Sequence, residues 1–156
     1  MTDLNTVHIS SGGVVYRKHE GKCYVVVLHR NANASWHLPK GTRIPPETRV
    51  ETALREVLEE TSLRVDIKGY LGALKSRFFR KDHLVNKLTF YYLMSPTTNT
   101  NIQVDDEHDN GVWVEINEAI LLLRSTHERL LCTEQEHLIL ILAKGAIGLV
   151  EDCTQC

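Results

Sequence analysis

The stretch from Thr48 to about Thr61 constrains the fold of this chain more than any other part of the sequence. Thr48 and Glu51 have the spacing of a capping box, which predicts that a helix begins at Thr48. Apolar residues recur at helical spacing and predict one apolar face, formed by Val50, Ala53, Leu54, Val57 and Leu58. Three glutamates lie on an arc mostly opposite this face, namely Glu56, Glu59 and Glu60.

This cluster of glutamates is unfavourable in an isolated helix. Like charges at this spacing cost about 0.2–0.5 kcal/mol per pair, and they crowd the end of the helix where the helix dipole is negative. Arg55 can offset part of the charge through Glu59. The feature alone leaves two interpretations open. It is either a solvated acidic face or a site where divalent cations supply the missing positive charge, and Mg²⁺ would suit such a site because it prefers oxygen ligands.

The remaining elements predict an α/β fold. Strands are expected where β-branched and apolar residues run together, at Ser10 to Arg17, Cys23 to Arg30, Arg64 to Leu74, Lys87 to Met94 and Gly111 to Ile116. Loops are expected at 31–47, at 95–110 and in the basic, aromatic stretch 75–83. Further helices are expected from Asn117 to about Arg124 and, capped by Thr133 with Glu136, to about Val150. This order suggests a mixed sheet sandwiched between helices.

Length, charge and cysteine content narrow the function classes. The 156 residues fit one domain spanning 1–156, and a formal charge of −2 gives no footprint for bulk nucleic-acid binding. No signal-peptide pattern and no bilayer-length apolar run is present, so we expect no membrane association and a cytoplasmic location. The four cysteines are expected to be free thiols. Cys153 and Cys156 have the spacing of a zinc or redox pair, which is the weaker alternative at a chain end.

The loop before the acidic helix and the helix itself resemble a known family signature. Gly41 is followed by five residues, Glu47, seven residues and then Arg55-Glu56-Val57-Leu58-Glu59-Glu60-Thr61-Ser62-Leu63. This run matches the signature of the Nudix hydrolases at every fixed position but one, because Ser62 stands where the family has glycine. Ser11 to Tyr16 also resembles the family's first strand. The resemblance implies an α/β/α sandwich around a mixed sheet.

The resemblance also implies a metal-dependent hydrolase and assigns roles to individual residues. Glu56, Glu59 and Glu60 would bind Mg²⁺, or Mn²⁺ instead, and carbonyl groups near Gly41 would complete the metal shell. Arg55 and Glu47 would hold the helix and the loop in place. Hydrolysis of a phosphoanhydride needs an activated water, so one carboxylate has to act as the general base. Glu59 is the first choice for this role.

A second acidic stretch offers another candidate for the base. Glu107-His108, followed by four residues and Trp113, resembles a pattern of the diadenosine polyphosphate hydrolase branch of the family. Glu107 would then be a further metal ligand or the general base, and we expect Asp105 and Asp106 to matter less. The alternative is a solvated acidic loop.

Two more stretches resemble the same branch and suggest a substrate. Trp36 to Gly41 would place Trp36 and Lys40 at the substrate, with Lys40 near a phosphate. Lys87 to Tyr92 would offer Lys87 to the phosphate chain and one tyrosine, Tyr91, to a base. Arg77, Arg80 and Lys81 either add phosphate contacts or form a solvated basic loop.

The expected substrate is therefore a small nucleotide, diadenosine tetraphosphate first, cut to ATP and AMP by a monomer or a homodimer. The alternatives are another nucleoside diphosphate derivative, such as ADP-ribose, an oxidised nucleoside triphosphate, or a diphosphoinositol phosphate. A non-catalytic module that senses nucleotides is the remaining alternative. It is disfavoured because all three box glutamates are present.

Overall fold

The computed structural model describes the backbone of residues 7–131 and 134–154 and the side chains of residues 7–131 and 134–148. The strands within these residues are β1 (Val7–His19), β2 (Lys22–Arg30), β3 (Ser35–His37), β4 (Lys40–Thr42), β5 (Val65–Arg80), β6 (His83–Pro96) and β7 (Asn110–Glu115). The α-helices are α1 (Arg49–Thr61), α2 (Ile116–Arg129) and α3 (Glu136–Thr154), and a 3-10 turn covers Asn31–Asn33.

The strands form one mixed sheet. Its main order is β3-β2-β1-β6-β5, with β4 also paired to β1 and β7 also paired to β2. Only the β1–β6 pair is parallel among the described strands, and the others are antiparallel. The long strand β1 changes partner along its length, because Ser10–Gly12 pairs with β4 and Tyr16–His19 pairs with β2. This exchange brings β4 to the centre of the sheet, directly beside α1.

Helices cover both faces of the sheet, and successive strand residues supply two separate cores. On one face, α1 contributes Ala53 and Val57 to a cluster with strand residues Val15, Val26, Leu28, Phe90, Tyr92 and Met94. On the other face, α2 and α3 pack on Val14, Val25, Val27, Tyr91 and Leu93. The alternation follows from the pleat of a strand, in which neighbouring side chains point to opposite faces. The predicted α/β/α sandwich with a mixed sheet is confirmed.

The ends of α1 agree with the sequence prediction. The hydroxyl of Thr48 accepts a hydrogen bond from the Glu51 amide at 3.1 Å, as an N-cap should. At the other end Ser62 adopts the left-handed conformation with φ of 63°. Serine there costs about 1 kcal/mol or less relative to glycine. Its hydroxyl donates to the carbonyl of Gln103 at 2.9 Å, which ties the helix end to the loop that follows β6.

Some sequence predictions need correction. The stretch 75–83 is not a loop, because β5 and β6 continue as a hairpin up to Arg80 and His83. The turn between them places Lys81 and Asp82 at positive φ, which suits the twist of a two-residue hairpin. The region 31–47 contains the short strands β3 and β4 within its loops. The predicted Thr133 cap and Cys156 lie outside the described residues.

No helix in the described part of the chain is long and apolar enough to cross a membrane.

Candidate functional site

At the candidate site the backbone packs so closely against its neighbours that no side chain fits at two positions, Gly41 in β4 and Gly12 in β1. A β-carbon at Gly41 would overlap the carboxylate of Glu56, and one at Gly12 would overlap the carbonyl of Pro39. The Gly13 amide donates to that carbonyl at 3.1 Å. Glycine at position 41 therefore lets a carboxylate of α1 lie directly against the backbone of β4.

Arg55 joins the loop to the helix through four acceptors. Its Nε lies 2.6 Å from Glu47, and its guanidinium also reaches Glu56 at 2.8 Å, Glu59 at 3.2 Å and the carbonyl of Thr42 at 3.0 Å. The hydrogen bond from Arg55, together with one from the Ile44 amide, lowers the pKa of Glu47 to about 2. One cation thus fixes the position of Glu47 and orients the carboxylate of Glu56.

The pKa of Glu60 is shifted in the opposite direction from that of Glu47. Glu60 is 4% exposed, and oxygen atoms of Glu60, Asp105 and Glu107 lie within 4.8 Å of one another. Burial raises the pKa of Glu60 to about 9, helped by the charges of Glu56, Asp105 and Glu107, while a hydrogen bond from the Lys40 amide opposes the rise. Within the described residues no lysine or arginine forms an ion pair with Glu60. The cluster is therefore short of positive charge.

The structure separates the acidic residues that the sequence grouped. The Glu59 side chain is 55% exposed and contacts Arg55, and it is not part of the 4.8 Å cluster. The Glu107 side chain is 71% exposed, with Arg30 at 4.0 Å. Asp105 joins the cluster although the sequence ranked it below Glu107. The reason is His108, a buried residue whose Nδ1 lies 2.8 Å from the Asp105 carboxylate and fixes its orientation.

A second acidic group, which the sequence analysis missed, lies at the start of α3. Glu134 and Glu136 are buried, and both bind the ammonium of Lys40, at 3.2 and 2.9 Å. Glu134 also lies 3.7 Å from the Lys87 ammonium. The hydroxyl of Tyr91 donates to Glu134 at 2.9 Å and to Glu136 at 3.2 Å. The negative charges of two carboxylates and the positive charges of two ammonium groups thus balance in this cluster.

The balance is visible in the pKa values. Burial alone would raise the pKa of Glu136, but the charges of Lys40 and His37 outweigh it and hold the pKa at about 2. Burial would lower the pKa of Lys40, and the two glutamates raise it instead. For Lys87 burial prevails, assisted by repulsion from Lys40, and the pKa is lowered.

One cavity of about 300 Å³ connects the two acidic groups. It is lined on one side by Gly41, Glu60, Glu107 and His108, and on the other by His37, Lys40, Lys87 and Glu134. Arg30 and Phe78 also line this cavity. Phe78 belongs to the part of the β5–β6 hairpin that the sequence had assigned to a loop, which is why it was not singled out.

Residues 6–133 match the model of the NUDIX domain. The chain belongs to the NUDIX family.

Several curated Nudix relatives are similar to the chain. It is 32% identical to the putative mutator protein MutT4 of Mycobacterium tuberculosis over 145 residues. The matched residues make up 88% of this chain and 58% of that protein. It is 29% identical to the 8-oxo-(d)GTP phosphatase of Mycolicibacterium smegmatis, over 71% of this chain and 33% of that protein. It is 28% identical to the asymmetrical bis(5'-nucleosyl)-tetraphosphatase of Caenorhabditis elegans, over 71% of this chain and 81% of that protein. The chain spans somewhat more than half of the first of these mycobacterial proteins and one third of the second.

Solved structures agree on the fold. The Ap4A hydrolase of C. elegans, in a binary complex, superposes with a TM-score of 0.72 at 24% identity, covering 90% of this chain and 98% of that one. The NUDIX domain of Shewanella oneidensis NrtR, in complex with ADP-ribose, gives a TM-score of 0.63 at 15% identity over 92% and 90%.

Within this Nudix fold two predicted substrate residues are not placed as expected. Tyr91 has no exposed surface, because it faces the α3 side of the sheet and its hydroxyl is bound by the buried glutamates. Its ring cannot stack on a base, so that prediction is corrected. Trp36 is half-buried, packs on His29 with ring centroids 4.4 Å apart, and is not among the residues that line the 300 Å³ cavity.

Proposed function

We propose that the chain hydrolyses a phosphoanhydride bond of a nucleoside polyphosphate with the help of Mg²⁺, or Mn²⁺. The observation that carries this proposal is the group formed by Glu60, Asp105 and Glu107, whose oxygens lie within 4.8 Å of one another. Glu60 is buried there, its pKa is raised to about 9, and no side-chain cation pairs with it in the described part of the chain. Such a group is stabilised when a cation is added.

The donor set fits a hard divalent cation. All three side chains offer carboxylate oxygen, which is what Mg²⁺ prefers. Glu56 and the backbone around Gly41 lie next to them, since Gly41 leaves room for the Glu56 carboxylate. When bound, the metal neutralises phosphate charge and makes a water easier to deprotonate. Glu59 is proposed as a further ligand at the exposed edge, where Arg55 orients it.

We assign the general base to Glu107. It lines the cavity and its side chain is 71% exposed, so a water can reach it. Glu59, the first choice from the sequence, does not line the cavity and is held by Arg55 at 3.2 Å. A carboxylate that accepts the proton of the attacking water has to face the reacting phosphate. Arg55 itself acts as a positioning residue for Glu47, Glu56 and Glu59.

For the substrate, we propose a dinucleoside polyphosphate, diadenosine tetraphosphate first, with ATP and AMP as products. The relative that the chain covers over 81% of its length is named as a tetraphosphatase of this type. Lys87 and Arg30 line the cavity and are proposed to meet the phosphates, whereas the charge of Lys40 is already balanced by two glutamates. Phe78 offers the ring that Tyr91 cannot, and stacking on a base contributes about 1–3 kcal/mol.

A second substrate class is supported by the mycobacterial relatives. One is named a mutator protein and another an 8-oxo-(d)GTP phosphatase, so an oxidised nucleoside triphosphate is the alternative. The cavity volume of about 300 Å³ is compatible with a single nucleotide as well.

A substrate panel with purified protein tests both levels of the proposal. Diadenosine tetraphosphate, 8-oxo-dGTP, ADP-ribose and a diphosphoinositol phosphate are compared with Mg²⁺ and with EDTA. We expect turnover only with the metal and the highest kcat/KM for diadenosine tetraphosphate. Equal turnover in EDTA would refute the metal-dependent mechanism. A tenfold higher kcat/KM for another substrate would refute the substrate assignment and leave the hydrolase proposal standing.

A further inference from the structure

A second groove adjoins the cavity of about 300 Å³ in which the proposed reaction takes place, the catalytic cavity. This groove, which we call the β5 groove, has a volume of about 410 Å³. It is formed by residues 73–77 of β5 and, around the connection from α2 to α3, by His127, Leu131, Glu134 and Gln135. Ser76 and Glu134 also line the catalytic cavity. The two spaces are therefore neighbours with a common boundary.

The side chains of β5 follow this boundary in order. Residues two apart in a strand point to the same face, and Leu74 packs on the core beneath α2 and α3. Along this face Phe78 lines the catalytic cavity, Leu74 lines the β5 groove, and Ser76 between them lines both. Ser76 is the smallest of the three and lies opposite Lys87 in the register with β6. A phosphate chain bound by Lys87 is therefore already at the crossing point.

The β5 groove offers hydrogen-bonding groups of the backbone. β5 lies at the end of the sheet order, and among the described strands it pairs with β6 alone. The outer edge of such a strand carries N–H and C=O groups that no neighbouring strand uses. The exposed side-chain amide of Gln135 adds one more donor group and one more acceptor. Donors and acceptors of this kind match the polar edge of a nucleobase.

The groove also offers apolar surface and little net charge. Leu131 is 82% exposed, so a flat ring that covers it removes apolar surface from water. The carboxylate of Glu134 is already paired with Lys40 and Lys87. Lys75 and Arg77 belong to the same segment of β5, but alternation starts their side chains on the opposite face of the strand. The groove therefore suits an uncharged ring better than a phosphate.

The proposed substrate has a nucleoside at each end, and the catalytic cavity is small for both. Its volume of about 300 Å³ is at the lower end of the range for small-ligand pockets. Phe78 is the ring in this cavity on which one base is proposed to stack. The other nucleoside must then lie outside, at the far end of the phosphate chain.

We propose that the β5 groove, between the free edge of β5 and the side chains of Leu131 and Gln135, binds the second nucleoside of a dinucleoside polyphosphate. This inference rests on the proposed function, because it concerns the substrate of the same site. The phosphate chain runs from the acidic cluster past Lys87 and crosses at Ser76. A nucleoside triphosphate, with one nucleoside, leaves the β5 groove empty. The groove thus distinguishes the two substrate classes.

NMR titration of the whole chain in EDTA tests binding apart from turnover. Diadenosine tetraphosphate is compared with adenosine tetraphosphate, which has four phosphates and one nucleoside. We expect saturable shifts of the Gly41 amide with both ligands, and of the Leu131 and Gln135 amides with diadenosine tetraphosphate alone. Absence of saturable shifts at Leu131 and Gln135, or equal shifts there with both ligands, would overturn the proposal.

Hydrolysis in Mg²⁺ separates this inference from the proposed function. Turnover of diadenosine tetraphosphate without shifts at Leu131 and Gln135 would refute the nucleoside site and leave the proposed reaction standing. Saturable shifts at these amides without turnover would refute the proposed reaction and leave the nucleoside site standing.

Variants test the two parts of the path. Leu131→Ser should lower the ratio of kcat/KM for diadenosine tetraphosphate to that for adenosine tetraphosphate about fivefold or more, because the surface under the base is lost. Ser76→Leu should lower the same ratio, since a larger side chain stands where the phosphate chain crosses. Leu121→Ser is the matched control, because Leu121 is a leucine of α2 that is 60% exposed. An unchanged ratio in both Leu131→Ser and Ser76→Leu would refute the assignment, and so would an equal fall in Leu121→Ser.

Discussion

Glu60 and Glu136 are the same residue type in nearly the same degree of burial, and their electrostatic states are opposite. Glu60 is 4% exposed with a pKa raised to about 9, and Glu136 is 3% exposed with a pKa lowered to about 2. The difference lies in their neighbours. Glu60 is surrounded by carboxylates, whereas Glu136 has Lys40 and His37 beside it. Burial alone therefore does not decide the charge of a carboxyl group. Glu60 has no lysine or arginine partner within the described residues, and for this reason we propose a metal ion there.

The largest effect should come from removing the ligand that lacks a partner. Glu60→Gln should lower kcat about 10³-fold, if the carboxylate contributes roughly 4 kcal/mol to the transition state through the metal. The metal-free variant should nevertheless unfold at a higher temperature than the wild type at neutral pH, because Glu60 has to take up a proton to be buried there and glutamine does not. Steady-state kinetics and thermal unfolding in EDTA measure both. Glu118→Gln, an exposed glutamate of α2, is the control and should change neither. A fall in the Tm of metal-free Glu60→Gln would contradict the comparison.

The paired carboxylate should behave in the opposite way. Glu136→Gln leaves the buried Lys40 with one acidic partner fewer, and breaking a buried ion pair costs about 3–5 kcal/mol. We expect a loss of about 3 kcal/mol in the free energy of unfolding, measured with urea. Glu128→Gln, on the exposed surface of α2, serves as the control. A stability equal to that of the wild type would show that the charges around Lys40 are not coupled to the fold.

The stability of the metal-free protein should depend on pH in opposite ways through Glu60 and Glu136. The folded-state pKa of Glu60 is raised from 4.5 to about 9, so the folded protein holds a proton that the unfolded chain releases in this range. The contribution of Glu60 to stability therefore falls as the pH rises from 4.5 to 9. Glu136 contributes in the other direction, because its pKa is lowered from 4.5 to about 2 and its stabilisation is lost as the pH falls through that window.

We accordingly expect the Tm gain of Glu60→Gln over the wild type to grow between pH 5 and pH 8.5 in EDTA. An increase of about 4–8 °C corresponds to roughly 2 kcal/mol for a chain of this size. Thermal unfolding followed by circular dichroism gives this difference at each pH. A gain that stays constant across the range would mean that Glu60 is already ionised in the metal-free protein.

The smallest effect is expected at Lys87, whose ion pair with Glu134 is longer than those of Lys40. Lys87→Ala should lower kcat/KM for diadenosine tetraphosphate about tenfold and for ADP-ribose less, because the longer phosphate chain extends further along the cavity. Lys40→Ala should instead act mainly on the free energy of unfolding and less on kcat/KM, since the ammonium of Lys40 forms ion pairs with Glu134 and Glu136. Kinetics with both substrates and urea unfolding of both variants test this division. Equal loss for the two substrates in Lys87→Ala would argue against a polyphosphate contact.

The features that sequence predicted well depend on residues close together in the chain. The spacing of Thr48, Glu51 and the apolar face defines α1 within one helix, and the sandwich follows from the order of the elements. The pairing of Glu134 and Glu136 with Lys40 could not be predicted in this way. The residues are far apart in sequence, and only the packing of α3 against the sheet brings them together.

The choice between Tyr91 and Tyr92 shows a similar limit. Alternation along β6 correctly implied that the two side chains face opposite ways. Which face meets which helix depends on the partners of β6 in the sheet, and these are set by β1 and β5. The sequence therefore showed that the two rings separate but not that Tyr91 enters the charged interior. β5 and β6 pair with each other beyond the residues of β6 that pair with β1, and this extension brings Phe78 to the cavity. It was not predicted from the sequence for the same reason.

The parallel pairing of β1 with β6 has a consequence for the order of events during synthesis. Val7 pairs with Asn86, and Val15 with Met94, so β1 meets this partner only after β6 has been made. Contacts between distant segments form slowly because a long loop must close first. Until then the edge of β1 that pairs with β6 has no partner, and an unpaired strand edge can pair with a neighbouring chain.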